Sequence, residues 1–213
     1  MAKKKILLVD DHPLVREWLT NLINQEEDLA VCGAAEGVIQ ARQLIAETPP
    51  DLAVIDLTLG EDSGIDLIKE IRKNHPGVKL IVLSMHSESL YAERALRARA
   101  GGYVIKKETT SRIIEAIRQV LAGKIYLSEG FAGAIEGGKK PEAGTIKSLS
   151  DRELEVFQML GKGYETRKIG ELLNISMNTV QVYCGRIKEK LKLNNATELL
   201  REAIRWEEGR NGR

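Results

Sequence analysis

Five short apolar runs recur through the first 122 residues, each followed by a stretch whose apolar side chains fall at helical spacing. This alternation constrains the fold more than any other feature. The runs lie at 6–9, 29–34, 52–57, 79–83 and 102–105, and the amphipathic stretches near 13–25, 36–47, 64–74, 87–99 and 110–122. Strands that are apolar along their whole length have no wet face, so both faces of their sheet must be covered. The predicted class is therefore α/β, a five-stranded parallel sheet with alternating helices. In such a sheet ligands gather at the carboxyl ends of the strands, near the point where strand order reverses.

The pattern then changes. Residues 123–147 hold six glycines and the run Lys139-Lys140-Pro141 with little apolar periodicity, which marks a linker. Its first part, Ile125-Tyr126-Leu127, is apolar enough to pack on one of the domains. From 148 to 213 every signal is helical. Ser150-Asp151-Arg152-Glu153 reads as a capping box, and Leu154, Phe157 and Leu160 form a stripe that ends at Gly161 and Gly163. A short helix is expected over 166–173 and a tight turn at Asn174-Ile175-Ser176, with Ser176 as N-cap of a helix over 177–191. A last helix covers 196–208. The expected domains are thus 1–122, a linker 123–147, and 148–213.

Composition narrows the class. Of 213 residues 43% are hydrophobic and 30% charged, a globular balance. No apolar run approaches the roughly 20 residues of a membrane helix. The apolar run after Lys3-Lys4-Lys5 stops at Asp10-Asp11, too soon for a secretory signal. A cytoplasmic protein with no membrane partner is expected. Cys32 and Cys184 are read as reduced buried thiols. None of the three histidines pairs with Cys or Glu at metal-ligand spacing, which argues against zinc. Net charge is +1, with −2 over 1–122 and +2 over 148–213 by count. Arg186, Lys188, Lys190 and Lys192 face one acid, Glu189.

Asp10 and Asp11 follow the first strand and Asp56 ends the third, while Ser84 and Lys106 end the fourth and fifth. Acids after strands often only cap turns, but this set at successive strand ends converges on one edge. Crowded carboxylates repel unless a cation sits between them, and hard oxygen donors suit Mg²⁺. A carboxylate there can attack phosphorus to form an aspartyl phosphate, with Lys106 and the Ser84 hydroxyl binding phosphoryl oxygens. Over residues 5–122 the segments ILLVDDHPLVRE, VIDLTLGEDSG, IVLSM and GGYVIKK closely resemble the flavodoxin-like receiver domain of bacterial two-component response regulators. The resemblance implies that Asp56 is the phosphoacceptor for a histidine kinase. It also implies Mg²⁺ held by Asp10, Asp11, Asp56 and the Thr58 backbone carbonyl, with Ser84, Tyr103 and Lys106 as phosphate-binding and switch residues. One departure is Gly60, where the family usually places proline; Gly64 keeps its place.

In the helical half, helix–turn–helix spacing puts Val180, Tyr183 or Cys184, Ile187 and Leu191 on one face of the 177–191 helix. Asn178, Gln181, Val182, Gly185 and Lys188 lie on the other. Amides read adenine, valine meets a thymine methyl, and cations neutralise phosphates. A protein-binding module with a solvated polar face is the competing reading of the pattern alone. The stretch LSDRELEVFQMLGKGYETRKIGELLNISMNTVQVYCGRIKEKLKL is similar to the LuxR-type helix-turn-helix, which with the receiver places the chain in the NarL/FixJ group. DNA contacts are then expected from Arg167, Lys168, Asn178, Thr179, Gln181, Val182, Gly185, Arg186 and Lys188. In the family the positions of Gln181 and Gly185 are often cationic, and Tyr183 replaces a common histidine.

The function implied is a phosphorylation-dependent, DNA-binding transcriptional regulator that forms a homodimer when phosphorylated. It is not an enzyme beyond slow Mg²⁺-dependent self-phosphorylation from small donors and self-dephosphorylation. A haloacid-dehalogenase-type phosphatase uses similar groups but needs an Asp-x-Asp after its first strand, and Asp10-Asp11-His12 lacks it. A phosphate-independent regulator and a protein-interaction adaptor are the remaining alternatives.

Overall fold

The computed structural model describes residues 2–60, 62–85, 89–128, 131 and 144–211, with backbone only for 89, 108–111, 210 and 211. Residues 129–130 and 132–143 of the expected linker, and His86, lie outside the described residues. The chain divides into two compact units, Met1–Gly138 and Lys139–Arg213.

The first unit alternates strand and helix as the sequence predicts: β1 (Lys4–Val9), α1 (Pro13–Asn24), β2 (Leu29–Ala35), α2 (Val38–Glu47), β3 (Leu52–Asp56), a two-residue pair β4 (Thr58–Leu59) and β5 (Asp62–Ser63), α3 (Gly64–Asn74), β6 (Lys79–Ser84), α4 (Ser89–Arg97), β7 (Gly102–Ile105), α5 (Thr109–Leu121) and β8 (Tyr126–Leu127). The main sheet runs β2-β1-β3-β6-β7-β8 and is parallel throughout. Strand order reverses at β1, which has β2 on one side and β3 on the other. Every residue of β3 and β7 is buried, as their unbroken apolar pattern requires. One part of the core gathers Ile6, Leu8, Val54, Ile81 and Val104 from the sheet with Leu19, Ile23, Ile113 and Ile117 from α1 and α5.

Two features exceed the predicted five strands. The sheet has a sixth strand, β8, because the apolar segment after α5 folds back beside β7. The loop after β3 also closes into the small antiparallel β4–β5 hairpin, with Thr58 opposite Ser63 and Leu59 opposite Asp62.

The second unit is helical: α6 (Asp151–Gly161), α7 (Thr166–Leu173), α8 (Met177–Leu191) and α9 (Ala196–Asn211). The capping box forms as predicted. Ser150 Oγ accepts the Glu153 N–H at 3.3 Å, and Glu153 Oε2 accepts the Ser150 N–H at 2.7 Å. α7 ends on Asn174 in the left-handed region, φ 53°, and the Ile175 N–H returns to the Gly170 carbonyl at 2.9 Å. A Cβ on Gly170 would stand 2.8 Å from the Ile175 carbonyl oxygen, so the tightness of this turn requires glycine there. Ser176 caps α8 by accepting the Thr179 N–H at 3.0 Å. α6 packs on α9 with the Phe157 and Trp206 ring centroids 5.8 Å apart.

Candidate functional site

The carboxyl ends of β1, β3, β6 and β7 bring together Asp10, Asp56, Ser84 and Lys106, as the strand-end rule anticipates. Asp10 and Asp56 are 2% and 4% exposed, and Ser84 is fully buried. Lys106 Nζ stands 2.7 Å from both Asp10 Oδ2 and Asp56 Oδ2. Burial pushes the Asp56 carboxyl up to about 7; the Lys106 charge opposes this and the Asp10 carboxylate adds to it. Burial works against the Lys106 charge as well, yet the flanking Asp56 and Asp10 carboxylates hold its ammonium above the usual range. Two buried acids and one base leave the pocket short of positive charge.

Asp11 completes the acidic set at the rim, 31% exposed. Ligand atoms of Asp10, Asp11, His12 and Asp56 all lie within 4.8 Å of one another. A hard oxygen set of this density fits a Mg²⁺ ion. The Thr58 N–H points back to Asp56 Oδ1 at 3.4 Å, so the Thr58 segment lines the same pocket.

Three contributions were not read from sequence. His12 Nδ1 lies 3.2 Å from Asp10 Oδ1 and 2.6 Å from Asp11 Oδ1, which puts an imidazole at the edge of the acidic cluster; only its place directly after Asp10-Asp11 could have signalled this. Gly60 adopts φ +60° and its N–H donates to Asp11 Oδ2 at 3.1 Å. Proline, with φ near −65° and no N–H, could do neither, so the departure from the family pattern anchors the Asp11 carboxylate. Gly64 begins α3 against the loop that follows Asp56. A Cβ there would fall 2.0 Å from the Asp56 carbonyl oxygen, and its N–H donates to the Leu57 carbonyl at 2.8 Å.

In the helical unit, Val180 and Ile187 of α8 are fully buried and Tyr183 nearly so, while Cys184 and Leu191 are half-buried. This is the predicted inner face. Asn178, Gln181, Val182, Gly185 and Arg186 are exposed; Thr179 and Lys188 are half-buried. Arg186 lies over the Tyr183 ring at 5.9 Å, and the Thr179 hydroxyl is 2.8 Å from Ser176 Oγ. Arg167 and Lys168 on α7 both approach Glu171, at 3.7 and 3.1 Å. Lys190, part of the basic cluster noted in the sequence, instead turns inward to Glu153 at 2.6 Å.

Two family models match the chain. Residues 6–118 match the response regulator receiver domain, and residues 147–203 match the bacterial regulatory proteins of the luxR family. The chain belongs to the response regulators of the NarL/FixJ group. It is 33% identical over 204 residues to a putative transcriptional regulator of Pseudomonas aeruginosa, covering 95% of this chain and 98% of that one. It is 35% identical over 204 residues to the transcriptional activator protein ExaE of Pseudomonas putida, covering 93% and 95%. Among solved structures it is similar to the RcsB response regulator of Salmonella typhimurium, with 25% identity, a TM-score of 0.59 and coverage of 95% and 98%. It is similar also to RcsB in complex with DNA, with 25% identity, a TM-score of 0.59 and coverage of 94% and 97%. This response regulator therefore joins a receiver domain to a LuxR-type DNA-binding domain, and its relatives are transcriptional regulators. Among the described residues no helix is long and apolar enough to cross a membrane.

Proposed function

We propose that this response regulator is a phosphorylation-gated transcription factor of the cytoplasm, accepting its phosphoryl group on Asp56 from a histidine kinase. The observation that carries the reading is Lys106 held between Asp10 and Asp56 in a buried pocket at the strand-order reversal. An Asp56 carboxylate oxygen attacks the phosphorus of a phosphohistidine; the P–O bond forms, the P–N bond breaks, and the leaving imidazole takes up a proton. Asp10, Asp11, Asp56 and the Thr58 carbonyl would hold Mg²⁺, which supplies the charge that offsets repulsion between these acids and the incoming phosphoryl oxygens. Lys106 turns from the carboxylates to the new anion, and the Ser84 hydroxyl donates to it. Ser84 and Tyr103 then shift a pre-existing equilibrium of the receiver.

The output is DNA binding by α8. Asn178, Gln181, Val182 and Gly185 present its outer face to the major groove, while Arg167, Lys168, Thr179, Arg186 and Lys188 meet phosphates. A homodimer pairs two such helices on two half-sites, which offsets the weak binding of one small domain. The DNA complex of the similar RcsB supports this partner.

The test compares native protein with Asp56→Ala, each with and without beryllofluoride and Mg²⁺, by DNA-binding titration and light scattering. A rise in dimer and in DNA affinity is expected in the native protein alone. DNA binding that is equal in all four samples would leave a phosphate-independent regulator.

A further inference from the structure

The sixth strand plays no part in the switch as proposed above, yet it is bound to β7, the strand that ends directly before Lys106. Tyr126 lies opposite Gly102 and Leu127 opposite Tyr103. The Tyr126 and Ser128 N–H groups donate to the Gly101 and Tyr103 carbonyls, both at 3.0 Å. In return the Ile105 N–H donates to Ser128 Oγ at 3.1 Å. Ile105 is the residue directly before Lys106. Ser128 is itself 2% exposed, so its hydroxyl satisfies a backbone donor cut off from water. Phe131, also buried, meets Tyr103 edge-on with centroids 5.3 Å apart and planes at 79°.

We infer that Ser128 and Phe131 are positioning residues that couple the phosphoacceptor pocket to the chain leaving the receiver. This inference rests on the reading of Asp56 as phosphoacceptor. Lys106 Nζ touches the carboxylate oxygens of Asp10 and Asp56; a phosphoryl group on Asp56 adds anionic oxygens beside it, and the ammonium must redirect toward them. The backbone that carries Lys106 is tied through Ile105 to Ser128, and the ring two residues earlier is covered by Phe131. Movement of Lys106 or Tyr103 thus strains or releases the contacts of Tyr126, Ser128 and Phe131, at the start of the link to the DNA-binding domain. Coupling is reciprocal: if phosphorylation alters these contacts, the contacts alter affinity for the phosphoryl group by the same factor. The Tyr103–Phe131 pair is packed in the arrangement in which Lys106 holds Asp10 and Asp56, so removing the ring favours the other.

Beryllofluoride with Mg²⁺ serves as the probe on full-length protein, read by calorimetric titration and by amide hydrogen exchange. Saturation is expected to speed exchange at Tyr126 and Ser128 in the native protein by about tenfold, as for a local opening, and to leave Asp56→Ala unchanged. Phe131→Ala is expected to bind the probe about fivefold more tightly, the low end of ordinary coupling, while Phe131→Leu, which keeps an apolar cover, stays near native. Ser128→Ala gives the same sign with a smaller change to the core, and decides the matter should Phe131→Ala fail to fold. Equal or weaker affinity in these variants, with exchange at Ser128 indifferent to the probe, overturns the inference while the phosphoacceptor reading stands. Native protein that binds no beryllofluoride overturns both.

Discussion

The receiver draws Asp10, Asp56 and Lys106 out of water and sets them against one another, whereas the helical domain leaves Asn178, Gln181 and Arg186 on an exposed face and keeps only Val180, Tyr183 and Ile187 of α8 inside. A buried, charge-deficient pocket is poised to change state when a charge is added, because the low dielectric magnifies every ionic contact. An exposed polar face has no such sensitivity. It offers a fixed surface whose binding depends on what approaches it and on salt. On the function proposed above, one domain responds and the other recognises.

The largest test of this contrast is Lys106→Met. Removing one partner of a buried ionic cluster should cost about 3 kcal/mol near pH 8, and Mg²⁺ should raise the melting temperature of the variant more than that of native protein. A melt indistinguishable from native, with or without Mg²⁺, would mean that the pocket stores no charge imbalance.

Asp56→Asn sharpens the point through pH. Because burial lifts the folded-state Asp56 carboxyl to about 7, the folded state holds a proton that the unfolded state, with a normal carboxyl near 3.9, has already lost. This group therefore makes stability fall as pH rises from about 4 to about 7. Replacing it with a neutral amide should remove that slope, so that the variant gains about 2.5 kcal/mol on native protein between pH 5 and pH 8. Urea midpoints across this range measure both quantities.

In the helical domain, Ser150→Ala should cost about 1 kcal/mol through loss of the N-cap, with little dependence on pH between 6 and 8. The smallest stability effect belongs to α8. Gln181→Lys should change the melting temperature little, within about 0.5 kcal/mol, while steepening the salt dependence of DNA binding by about one charge. A Gln181→Lys variant with an unchanged salt slope would remove this position from the interface.

Much of this was legible in local sequence. Unbroken apolar runs and period-3.6 patterns report only on neighbours in the chain, and that is sufficient for β1 to β3, β6, β7 and the helices. The acids at strand ends were legible for the same reason: once the strands are placed, residue order alone puts them on one edge. The helix-turn-helix was marked by Ser150, Glu153 and Ser176, whose caps are closed by partners three residues away.

What the sequence by itself determined is therefore the doubly covered sheet, its carboxyl-edge pocket and the inner face of α8. Tertiary structure alone decided the rest. β8 is two residues long, too short for any period, and exists because β7 offers it an edge. Gly60 departs from the family pattern, but its donation to Asp11 follows from a positive φ and an approach across 49 residues. Lys190 looks like any other cation of a basic cluster until Glu153, 37 residues earlier, comes within 2.6 Å. Lys106 acquires its place between two acids only when β1, β3 and β7 lie side by side, since ionic contacts depend on distance in space and no local pattern encodes that distance.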